Sequence, residues 1–204
     1  MFNGTQIARQ IEDMGASHAA SVETKDIPFD AAFRAACERN ACGYYNRCWT
    51  CPPEAGRIES CMARVQAYPH AVLFQTIAPL EDSYDIEGMH DAAVAHNRLT
   101  LKVQQTFRQT GLASMVLGAG TCGVCPTCTK PTGEPCRFPD LAITSLEACG
   151  VSVSELAKIC GLKYINGANT VTFFGLLLYL DKELIKPAPG MHSSLDNEFT
   201  LGSF

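Results

Sequence analysis

Four cysteines between positions 122 and 136 constrain this chain more than any other feature, because they stand in the spacing C-x2-C-x2-C-x7-C. The segment runs Gly118-Ala-Gly-Thr-Cys122-Gly-Val-Cys125-Pro-Thr-Cys128-Thr-Lys-Pro-Thr-Gly-Glu-Pro-Cys136-Arg-Phe-Pro139. A cubane 4Fe-4S cluster takes a thiolate at each iron corner. Two consecutive C-x2-C steps let one tight loop wrap three corners, and the fourth thiolate comes from further along. The competing metal is structural zinc, which uses two C-x2-C pairs a dozen or more residues apart. Here the pairs share Cys125, an arrangement that suits a large cluster better than one small ion. Lys130 and Arg137 place positive charge beside the loop, where it either favours a reduced cluster or simply solvates the loop.

The chain has eleven cysteines, an odd number, so they cannot all pair within it. A second group precedes the first by sixty cysteine-free residues: Cys37-Glu-Arg-Asn-Ala-Cys42-Gly-Tyr-Tyr-Asn-Arg-Cys48-Trp-Thr-Cys51-Pro-Pro53, with Cys61 in reserve. Two separate metal or cofactor sites are the natural reading. Trp49, Tyr44 and Tyr45 either shield the first site from solvent or pack in the core. Cys149 and Cys160 stand apart at the ends of expected helical segments, where a buried free Cys behaves as a small hydrophobe.

With 204 residues, 47% hydrophobic and 18% charged, the chain has the apolar content for one compact domain, which we take as residues 1–204. A net charge of −5 and a pI near 5.5 argue against nucleic acid as the main partner. The start, MFNGTQIARQ, lacks an apolar run behind a basic end. The longest apolar stretch, Val171 to Leu180, is far below the roughly 18 residues a bilayer span needs. The expectation is a soluble cytoplasmic protein with no membrane partner.

Periodicity places helices over 2–14, from Asp30 to near Cys37, over 57–68, 86–109 and 153–160, and briefly near 145–149. Asp30 and Ser152 are candidate N-caps. Strands are expected over 18–25, 71–77, 113–120 and 172–180. This alternation predicts an α/β fold, a central sheet of about four strands with packed helices and two Cys-rich metal loops.

Several segments together resemble a known family. They are Cys42-Gly-Tyr-Tyr-Asn-Arg-Cys-Trp-Thr-Cys51-Pro-Pro, Asp82-Ser-Tyr-Asp-Ile-Glu-Gly-Met, Gly118-Ala-Gly-Thr-Cys122-Gly-Val-Cys125, Cys136-Arg-Phe-Pro, Ser145-Leu-Glu-Ala-Cys-Gly-Val and Tyr164-Ile-Asn-Gly. The family is one of predicted metal-binding proteins of unknown function found largely in anaerobic bacteria and archaea. The resemblance implies metal binding through Cys37, Cys42, Cys51 and the later four cysteines, and it implies no reaction. With three ligands, a cubane in the first loop keeps one iron free to act as a Lewis acid. With Cys48 or Cys61 as the fourth, the site becomes a closed electron carrier.

Asp82, Asp85, Glu87 and His90 either serve as acid/base groups beside an open iron or cap the long helix that follows. His96 lies on the apolar stripe of that helix and reads as a core histidine. The segment Tyr164 to Asn169 reads as a turn joining the last helix to the last strand. The leading function is electron transfer through one or two 4Fe-4S clusters with a redox partner protein. One alternative is an enzyme using an open-site cluster on a small-molecule substrate, and another is a zinc-stabilised binding module.

Overall fold

The computed structural model describes residues 3–180, which form a five-stranded sheet between two layers of helices. Helix α1 (Gly4–Asp13) is started by Asn3, whose side chain accepts from the Thr5 N–H at 3.0 Å. It lays Ile7 and Ile11 on one face of the sheet. Strand β1 (His18–Glu23) follows at the sheet edge. Helices α2 (Phe33–Glu38) and α3 (Ile58–Gln66) flank the first cysteine loop, and β2 (His70–Pro79) enters the sheet after α3.

Helix α4 (Ile86–Gln109) spans the 24 residues its periodicity predicts. Asp85 caps it by accepting from the Gly88 N–H at 2.8 Å, and its second oxygen accepts from Glu81 N–H at 3.1 Å. The chain continues through β3 (Ser114–Gly118), the second cysteine loop, β4 (Thr144–Ser145), α5 (Val153–Ile159) and β5 (Thr170–Tyr179). The strand order is β1-β2-β5-β3-β4, antiparallel throughout except for the parallel pair β3 and β4.

The two long central strands pair over their whole length, from His70 opposite Tyr179 to Pro79 opposite Thr170. Both their faces are covered, so they are apolar at nearly every position rather than at alternate ones. Ala71, Leu73, Leu176 and Leu178 meet α3 and α5 through Val65, Val153 and Leu156. Val72, Phe74 and Leu177 meet α1 and α4 through Ile11, Leu99, Val103 and Phe107. At the centre Gly175 faces Phe74, whose ring occupies the space a Cβ would need.

The sheet has one strand more than expected because β4 is two residues long, too short to carry a pattern. The helix expected near 145–149 is a single 3-10 turn, Glu147–Cys149, stopped by Gly150 at φ +76°. Two expected caps act differently. Asp30 accepts from the Ala32 N–H at 2.8 Å, one turn ahead of α2, and the Ser152 side chain makes no cap bond to α5. No helix among the described residues is long and apolar enough to cross a membrane.

Candidate metal centre

Both cysteine loops open at the same end of the sheet, one after α2 and the other after β3. The first loop folds back on itself through left-handed residues at Asn40 (φ 54°), Gly43 (φ 77°) and Asn46 (φ 56°). Asn favours this region because its short side chain bonds locally, and the Asn40 side chain accepts from Tyr45 N–H at 3.0 Å. The Asn46 N–H reaches the Pro52 carbonyl at 2.8 Å and closes the loop. In the second loop, buried Thr129 donates to the Pro135 carbonyl at 2.9 Å, and Arg137 Nη1 donates to the Thr127 carbonyl at 3.0 Å. Gly123 lies flat against Asn97 of α4, where a Cβ would sit 2.7 Å from Asn97 Nδ2.

Trp49 clasps the two loops together. Its indole N–H, in the first loop, donates to Thr129 Oγ1 and to the Glu134 carbonyl of the second, each at 3.1 Å. Lys130 returns the contact with its ammonium 4.8 Å from the Trp49 ring centroid, and it pairs with Glu54 at 2.6 Å. Lys130 is therefore committed to a cation–π contact and an ion pair.

This clasp re-sorts the cysteines. A small cavity of about 20 Å³ is lined by Cys48 together with Cys122, Cys125, Cys128 and Cys136. Cys48 thus joins the later group instead of completing the first. Cys37, Cys42 and Cys51 line a separate cavity of about 610 Å³, walled by Phe33, Tyr45 and Phe173. His90 and Glu147 also face it. A third cavity of about 960 Å³ touches Cys48, Cys122, Cys125 and Cys128 from outside, with Arg47 and Arg98 on its wall. Among the described residues no three His, Cys, Asp or Glu side chains gather closely enough to share one ion.

Cys48 and Cys51 connect the two sets. The Cys51 thiol hydrogen-bonds the Cys48 sulfur, and with the Thr50 and Cys122 groups this holds the Cys48 thiol down to about 4 against the opposing effect of burial. Cys51, which supplies that proton, is pushed above the ordinary thiol range, with burial adding to the effect. Burial also raises Cys37, partly offset by the Arg34 charge. It raises Cys122 despite hydrogen bonds from the Ile143 and Val124 backbone. Cys61 and Cys149 lie elsewhere, buried together between α3 and the 147–149 turn. Burial likewise lifts Cys160 to about 11.

The acidic segment divides. Asp85 caps α4, and Asp82 accepts from the Tyr84 N–H at 2.7 Å, so both are structural. His90 alone of the four candidates faces the thiols. His96 is a core residue, 1% exposed between Phe74 and Phe173, as its stripe position indicates. Residues 164–169 form the expected turn, with Asn166 Nδ2 bonded to the Lys163 carbonyl at 3.1 Å and Gly167 at φ +116°.

Sequence reasoning missed Glu147, Asn97 and Phe173 as cavity residues. Glu147 stands inside the Ser145-Leu-Glu-Ala-Cys-Gly-Val segment, so a signal was present but pointed to no site. Its side chain has solvent access through the cavity, yet the protein walls around it raise its carboxyl above the usual range.

A mixed α/β sheet that gathers eight cysteines at one end defines a cysteine-rich α/β protein. The chain belongs to the family described as Predicted metal-binding protein (DUF2284), whose model matches residues 20–179. No curated protein and no solved structure matches it.

Proposed function

We propose that this protein is an iron-sulfur electron carrier with two adjacent 4Fe-4S sites. The observation that carries the reading is the re-sorting of thiols by the Trp49 clasp into two neighbouring sets joined at Cys48 and Cys51. Cys122, Cys125, Cys128 and Cys136 hold the first cluster, with Cys48 beside them as a fifth thiol. Cys37, Cys42 and Cys51 hold the second. The donor set is all thiolate, which suits iron-sulfur chemistry and leaves no hard oxygen ligand to account for. The Cys37, Cys42 and Cys51 sulfurs stand around a ~610 Å³ cavity with room for a cluster, while the later four close on about 20 Å³, so loading there requires the loop to open. A cluster bound there supplies reversible one-electron chemistry. Around it stand Trp49 and Val124, and the Cys122 N–H faces the Cys48 sulfur.

The ~610 Å³ cavity favours a second reading, in which the three-thiol site binds a small molecule. His90 and Glu147 then stand on its wall as the groups able to hold a proton beside the ligand. Iron, zinc and acid-labile sulfide per chain, measured on protein purified without oxygen, with EPR after reduction, test both readings. About eight irons and eight sulfides support two cubanes, and about four confine the cluster to one loop. Stoichiometric zinc without sulfide overturns the redox reading in favour of a zinc-stabilised module. An EPR signal shifted by small ligands, and lost in Cys51→Ala, favours the enzyme over the carrier.

A further inference from the structure

Neither cavity uses Cys61 and Cys149. Cys61 of α3 is 0% exposed and Cys149 is 1% exposed, the two thiols lie beside each other in the core, and the Cys61 thiol donates to the Ala55 carbonyl at 3.0 Å. Two guanidinium groups from different elements converge on the same sulfur. Arg64 Nη2 of α3 is 3.3 Å away, and Arg34 Nη2 of α2 is 4.0 Å away. Arg34 also donates to the Ala148 carbonyl at 3.3 Å, which pins the turn carrying Cys149. A cysteine serving only as a small hydrophobe gains nothing from two cations, and a metal ion would be repelled by them. The two guanidinium groups favour ionisation of the Cys61 thiol, against its burial and its own 3.0 Å bond to the Ala55 carbonyl.

Cys61 is fully buried in the core, and the exposed Arg64 lies against it and donates to the Ala55 carbonyl at 3.4 Å. Reaction at this sulfur requires a local opening, for which displacement of the Arg64 side chain is the proposed route.

We propose that Cys61 and Cys149 form a hydroperoxide-reactive dithiol, with Cys61 as the attacking sulfur and Cys149 as the resolving one. The Cys149 hydrogen bond and the two arginines hold the Cys61 thiol down to about 6, so it is largely thiolate near neutral pH. In the first step the thiolate attacks the terminal peroxide oxygen. A sulfur–oxygen bond forms, the oxygen–oxygen bond breaks, and the departing alkoxide or hydroxide takes up the proton Cys61 released on ionising. In the second step the Cys149 sulfur attacks the Cys61 sulfenic acid. The sulfur–sulfur bond forms, the sulfur–oxygen bond breaks, and hydroxide leaves as water with the Cys149 proton. Two thiols supply two electrons, and the hydroperoxide that receives them becomes an alcohol, or water, plus water.

The test uses the full chain purified without oxygen and with its metal complement. It receives a single equivalent of hydrogen peroxide, is quenched in acid at timed intervals, and is analysed by differential alkylation and peptide mass spectrometry. The expected first product is the peptide cross-linked between Cys61 and Cys149. Arg64→Gln removes one of the two cations, so the pH midpoint of the cross-linking rate should move up from its native position. Cys149→Ser leaves Cys61 as a sulfenic acid that dimedone traps. Arg64 is a surface residue, so its variant keeps the test valid if Cys149→Ser fails to fold. Cys61 still fully alkylatable while the loop thiols oxidise, a cross-link from Cys61 to a loop cysteine, or an unchanged pH profile of cross-linking in Arg64→Gln each overturns the proposal.

Discussion

His96 gives a prediction whose size follows from its surroundings. Its Nδ1 lies 2.9 Å from Thr76 Oγ1, while Nε2 has no partner; the Phe174 backbone is near it but not at bonding geometry. Burial lowers its pKa from 6.5 to about 4, with the Phe174 backbone offsetting only part of the shift. The native state therefore refuses a proton that the unfolded chain accepts. Its contribution to stability is complete above about pH 6.5 and is lost as the pH falls toward about 4, at up to about 1.4 kcal/mol per pH unit. In His96→Leu the Thr76 hydrogen bond is gone, at a cost of about 1 kcal/mol, and so is the titration. Urea denaturation at a series of pH values should find wild type ahead by about 1 kcal/mol near pH 7. The variant should lead by about 1.5 kcal/mol near pH 4.5, with the curves crossing at about pH 5.8. Acid effects on the cysteine loops are common to both proteins and cancel in the difference. A constant gap across the range would refute the assignment of His96 as a neutral core group.

Three other perturbations probe the fold and the loops. Cys48→Ser should lower iron and sulfide at the later site and leave the Cys37, Cys42 and Cys51 set loaded; EPR that loses the signal of the first loop instead would return Cys48 to that loop. Trp49→Phe removes both indole hydrogen bonds and should cost about 1–3 kcal/mol in thermal unfolding while speeding metal loss to a chelator. Gly175→Ala drives a methyl into the Phe74 ring at the sheet centre. It should destabilise the fold by about 3 kcal/mol, read by denaturant titration, and pairing it with Phe74→Leu should recover part of the loss.

Helix α4 was legible because its apolar residues recur over six turns, and β2 and β5 were legible because strands covered on both faces leave an unbroken apolar run. Strand β4 was not, since two residues carry no period. The position of β5 between β2 and β3 was hidden for another reason: pairing partners nearly one hundred positions apart leave no local mark. The cysteine spacings singled out both loops and grouped Cys48 with its sequence neighbours, whereas the structure sets it on one cavity wall with the later four. Its spatial neighbours depend on Trp49 reaching Thr129, 80 residues on, a contact written in no spacing. The Cys61–Cys149 pair escaped for the same reason, because the arginines that distinguish it arrive from two other segments.

The indole of Trp49 also makes the two loops thermodynamically inseparable. The ring belongs to the first loop and both of its acceptors to the second, so whatever orders residues 129–134 also positions the chain between Cys48 and Cys51. On the proposed two-site reading, occupancy of one loop changes the affinity of the other, and by linkage the reverse holds by the same factor.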